Sequence, residues 1–93
     1  MMCTRLGSAG CLLNGNFYVS GGYNDENCEM SVERYDFVAN EWCEVRGMNR
    51  KRRAHSLIPY NNKLFAIGGV DENRMKVNTV EEYDPQHDTW VEK

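Results

Sequence analysis

Short apolar runs that stop at paired glycines punctuate this chain. Phe17-Tyr18-Val19 leads into Gly21-Gly22, and Leu64-Phe65-Ala66-Ile67 leads into Gly68-Gly69. Runs this short, rich in aromatic and β-branched side chains, predict buried strands rather than helices. A turn stands before each, Asn14-Gly15 and Asn61-Asn62. The central residues of a tight hairpin turn need positive φ, and asparagine and glycine tolerate it best. The first strand of each hairpin is then expected at 9–13 and at 56–60. Pro59 falls inside the second of these, so that strand must be an edge with its missing N–H facing an unpaired side, towards a central channel. Further on, Ser31-Val32-Glu33-Arg34-Tyr35 and its counterpart with Val80 and Tyr83 alternate apolar and polar positions. Bringing Val32 and Tyr35 to one buried side requires a bend or bulge. Asp84-Pro85 ends the second of these strands, and 42–45 and 90–92 supply a last, outer strand. No 3.6-residue apolar stripe occurs, so the fold class is all-β.

The two halves are copies of one another. Placing Gly21-Gly22 on Gly68-Gly69 gives an offset of 47, which also puts Arg5 on Arg52. Downstream, Ser31-Val32-Glu33-Arg34-Tyr35-Asp36 falls on Thr79-Val80-Glu81-Glu82-Tyr83-Asp84 at an offset of 48, with Trp42 on Trp90. In both copies tryptophan follows tyrosine by seven positions. Each copy predicts one four-stranded antiparallel unit, the first over 1–46 and the second over 47–93.

Composition removes several classes of function. Ninety-three residues with 41% hydrophobic and 27% charged side chains make one small globular unit. A net charge of −3 argues against a nucleic-acid-coating polycation, and no apolar run is long enough for a membrane helix or a secretory signal. Cys3, Cys11, Cys28 and Cys43 are irregularly spaced, with no C-x-x-C pair, so reduced thiols, a cytoplasmic setting and no metal are expected. Ser56 beside His55 points to the opposite face of a strand, and no nucleophile elbow or phosphate loop is present. No catalytic residue and no cofactor are expected.

The paired glycines, the Ser/Thr-Val-Glu-x-Tyr-Asp segment and the tryptophan seven after the tyrosine resemble the kelch repeat. Nearly the whole chain is covered, and the Trp-Asp ending of WD-repeat propellers is absent. The sequence looks most like the kelch half of the BTB-kelch (kelch-like) adaptors. That resemblance implies two consecutive four-stranded blades of a β-propeller. Gly21, Gly22, Gly68 and Gly69 would allow close turns, while Tyr35, Trp42, Tyr83 and Trp90 would wedge between neighbouring sheets. It also implies a protein–protein interaction module, the substrate-recognition part of an adaptor for a cullin-RING ubiquitin ligase. Nothing here resembles the BTB or BACK regions that would engage a cullin. The alternative is a cytoskeletal, actin-binding or scaffolding kelch protein. Some oxidases use a kelch-type propeller with a copper site, but the histidines here are too few for one. Two blades do not close a ring, so either the chain is part of a longer one or copies assemble to complete a propeller.

By the same resemblance, partners bind the loops at one end of the blades: 23–30 and 70–78, together with the stretch before 9 and 46–55. Arg5 and Arg52 begin matching first strands, where a guanidinium suits an acidic peptide motif. Arg53, Tyr23, Asn24 and Arg74 are further candidate partner contacts. Arg46, Arg50, Lys51, Arg52 and Arg53 place five basic residues in eight positions. This cluster reads equally as a solvated loop that pairs with acids of the next blade.

Overall fold

Turn chemistry fixes the two hairpins. The computed structural model describes residues 5–24, 27–28 and 30–93. In it, β1 (Ala9–Leu13) and β2 (Asn16–Ser20) close around Asn14 and Gly15 at φ 53° and 82°. Strands β7 (Ser56–Tyr60) and β8 (Lys63–Ile67) close around Asn61 and Asn62 at 54° and 62°. Both are left-handed pairs, whose twist matches that of the flanking strands. Two short strands, β3 (Tyr23–Asn24) and β4 (Asn27–Cys28), form a small ribbon after the first glycine pair.

Strand β2 next pairs with β5 (Val32–Asp36), and β5 with β6 (Glu41–Val45), giving a sheet in the order β1-β2-β5-β6. The second half repeats this with β9 (Val80–Asp84) and β10 (Thr89–Glu92), in the order β7-β8-β9-β10. The last hairpins share a design: the Asp36 carboxylate accepts from the Val38 and Ala39 amides, and that of Asp84 from the Gln86 amide. Each turn also ties back to its aromatic strand. Tyr35 donates its hydroxyl to the Asn40 side chain, as Tyr83 does to Asp88 at 2.7 Å. The two sheets are the expected pair of antiparallel blades. Pro59 lies on the edge strand β7, paired only to Leu64.

The expected bulge is absent. Register runs unbroken from Val32↔Val45 to Asp36↔Glu41, so alternation sends Val32 and Arg34 to one face and Glu33 and Tyr35 to the other. Both faces carry side chains removed from solvent: Val32 is buried against the second sheet, while Glu33 is buried under Arg5 and Tyr35 rests against Trp42. Tyr18, on the Val32 face, meets Tyr83 of the second sheet edge-on, with ring centroids 5.9 Å apart. Between the sheets lie Leu13, Val32, Met48, Leu57, Leu64, Ala66, Tyr83 and Trp90, all buried.

The four wedge aromatics occupy equivalent positions but unequal surroundings. Trp90 and Tyr83 are covered by the first blade, whereas Trp42 and Tyr35 are half-buried on the first blade's far face. There they meet edge-on, with ring centroids 5.2 Å apart. All four were expected to wedge between sheets; the two sheets enclose only Tyr83 and Trp90.

Candidate functional site

Arg5 and Arg52 are the clearest correction to the sequence reading. Neither side chain reaches the surface. Arg52 Nε and one terminal nitrogen donate to Glu81 at 3.0 Å. The remaining donors reach the Gly68 carbonyl, the Thr79 carbonyl and the Thr79 hydroxyl, each at 2.9 Å. Arg5 repeats the set on Glu33, the Gly21 carbonyl, and the Ser31 carbonyl and hydroxyl. All five N–H donors of each guanidinium are thereby satisfied. The ion pairs are sealed from solvent, at 0% and 2% side-chain exposure for Arg5–Glu33 and 0% for both partners of Arg52–Glu81. A charge held this way is an internal strut that ties the first-strand entry to the third strand.

Two more residues of the basic cluster are paired, here at the surface. Arg50 pairs with Glu92 at 2.6 Å and Lys51 with Glu72 at 3.0 Å. Arg46 uses its backbone, its amide donating to Asp88 and its carbonyl accepting from the Trp90 indole. The acids that Arg50, Lys51 and Arg52 meet all belong to the second blade rather than to the next one.

Two of the remaining candidates do meet at the loop end. Arg53 pairs with Val70 through both backbone groups, as Leu6 pairs with Tyr23 at the matching place in the first blade. Its guanidinium lies 5.3 Å from the centre of the Tyr23 ring, a cation–π contact that joins the loops of the two blades. Arg53 Nε is buried without a hydrogen-bond partner among the described residues. Arg74 is exposed at the tip of the 70–78 loop, at φ 62°. This loop is held by the Asp71 carboxylate, which accepts from the Asn73 and Met75 amides. The Asn24 side chain lies outside the described residues. Asp71, Glu72 and Val77 of the same loop, with Met30 and Lys51, line a groove of about 250 Å³. Charged loop residues around a small apolar floor suit a peptide, with the strands below as rigid support.

Sequence reasoning missed the joint under these loops. Ser20 Oγ and His55 Nε2 are 2.8 Å apart across the two blades, and His55 is 92% removed from solvent (8% exposed). The Gly22 amide donates to the Arg52 carbonyl and the Ala54 amide to the Gly7 carbonyl, both at 2.7 Å. Gly21 makes this approach possible: its φ is 62°, and a Cβ there would land on the Arg52 carbonyl oxygen. His55 Nδ1 has no hydrogen-bond partner among the described residues, so nothing orients the ring as in a catalytic Ser-His-Asp arrangement. Burial, aided by the nearby Arg52 charge, pulls the imidazole from 6.5 down to about 4. The folded chain therefore holds it neutral, and the unfolded chain takes up the proton first. Its contribution is complete above about pH 6.5 and is lost as pH falls towards 4, a change of about 3 kcal/mol. Urea midpoints measured across that range should fall for the wild type and flatten in His55→Asn. Parallel slopes would remove the histidine from this role.

Comparison with known proteins agrees with the geometry. The Kelch motif matches residues 4–49 and 51–92. An F-box/kelch-repeat protein of Arabidopsis thaliana is 35% identical over 89% of the chain, and human Kelch-like protein 6 is 32% identical over 86%. A horsepox virus protein named Kelch repeat and BTB domain-containing protein 1 is 31% identical over 84%. The chain spans 19%, 12% and 14% of the lengths of these three relatives.

Proposed function

Because the chain belongs to the kelch-repeat family, a protein-interaction fold, we propose that it is the substrate-recognition part of an adaptor for a cullin-RING ubiquitin ligase. The observation that carries this reading is the company its relatives keep. Proteins similar over most of this chain carry BTB or F-box in their names beside kelch. Recognition is assigned to the loop end, where Lys51, Asp71 and Glu72 line the groove, Arg53 meets Tyr23, and Arg74 is exposed at the loop tip to meet an acidic peptide. A cytosolic, reducing setting is part of the proposal, and among the described residues Cys11 and Cys43 are free thiols.

The test is co-precipitation of the native gene product from cells. Partners recovered with the wild type should be lost with Arg53→Glu and Arg74→Glu, and their lifetimes should lengthen when cullin ligases are inhibited. Neither substitution touches the buried struts, so circular dichroism should be unchanged. Co-sedimentation with filamentous actin, with partner lifetimes unaffected, would replace the adaptor by the scaffolding alternative.

A further inference from the structure

Each blade has two faces, and among the described residues the chain covers only one face of each. On the second blade's far face, Ile58, Ile67 and Val91 are 45%, 38% and 53% exposed. On the first blade's far face Tyr35 and Trp42 are half-buried, and Phe37 is 58% exposed. We propose that copies of this chain associate head to tail, the second blade's far face of one copy seating on the first blade's far face of the next.

The internal joint is the template, since the repeat maps one surface onto the other. Phe65 stands where Tyr18 stands, and Tyr35 where Tyr83 stands, so the edge-on ring pair has a counterpart between copies. Ile67 occupies the place of Ser20, and Ser8 that of His55. The internal joint sets a small side chain against a large one; between copies the order is reversed, and combined size is preserved. Charge is also compatible. Inside the chain Arg34 and Asp88 line the same interblade groove. Their counterparts are Glu82 and Asn40, and Glu82 is already paired with Lys93 at 2.9 Å, so this pair of positions brings no like charges together. The interface is heterologous: two different surfaces join, leaving one of each free until a ring closes.

Sedimentation of the 93-residue chain should show a mass above the 10.8 kDa monomer that falls on dilution. Ile58→Glu with Ile67→Glu disables one surface, and Ser8→Arg with Phe37→Glu disables the other. Each variant alone should be monomeric, and the two mixed should give a one-to-one dimer and nothing larger. Near-ultraviolet circular dichroism checks that the variants fold. If one does not, Ser8→Cys and Ile67→Cys chains, with the four native cysteines replaced by serine, should cross-link to each other when mixed. A wild type monomeric at every concentration would overturn the proposal. So would assembly that survives both variants, a mixture that does not pair, a 67–67 cross-link, or no cross-link.

Discussion

Arg52→Met is expected to lower the stability of the chain by about 3–5 kcal/mol, because it leaves Glu81 charged, buried and unpaired. Domains of this size hold about 5–15 kcal/mol in total, so the variant should lose a large fraction of its stability. The loss has several components. Besides the ion pair, the Gly68 and Thr79 carbonyls and the Thr79 hydroxyl lose a donor. The Asn49 amide, on the other carboxylate oxygen, stays with Glu81. Arg52→Lys should recover little, because an ammonium has three donors where the site takes five. Urea unfolding at unchanged slope is the measurement. Wild-type stability with loss of partner binding would return Arg52 to the recognition surface.

The equivalent tryptophans should respond very differently to truncation. Trp90→Ala is expected to cost about 3–5 kcal/mol, since it opens a cavity between the blades and strips the Arg46 carbonyl of its indole donor. Trp42→Ala, at the matching position of the first blade, should cost about 1 kcal/mol when the chain is dilute enough to be monomeric. Its ring is half open to solvent and rests mainly on Tyr35. Equal losses in the two variants would mean that the far face of the first blade is covered even in the monomer.

Local signals in the sequence were the reliable ones. Turn residues and glycine pairs delimit β1 and β7 at 9–13 and 56–60, because the backbone angles they demand are satisfied within a few residues. Pro59 marks an edge for the same reason. The roles of Arg5 and Arg52 were misread because they depend on partners 28 and 29 residues away, brought within reach only by the pairing of β2 with β5 and of β8 with β9. A signal was present nonetheless: both copies carry an arginine 16 residues before a glycine pair, followed by a hydroxyl-x-glutamate. That constellation serves a scaffold more naturally than a variable loop. The Ser20–His55 joint had no such signal, since the repeat replaces the two residues by Ile67 and Ser8. The bulge expectation failed on a premise, that a strand here has one inside.

The acceptors of each buried guanidinium come from its own blade. A gene segment encoding one blade could accordingly be transplanted or lost by unequal recombination without stranding a charge at the seam. What such an event would have to match is shape, the Tyr23–Arg53 and Ser20–His55 contacts, and two backbone hydrogen bonds, of which the backbone pair is indifferent to side-chain identity.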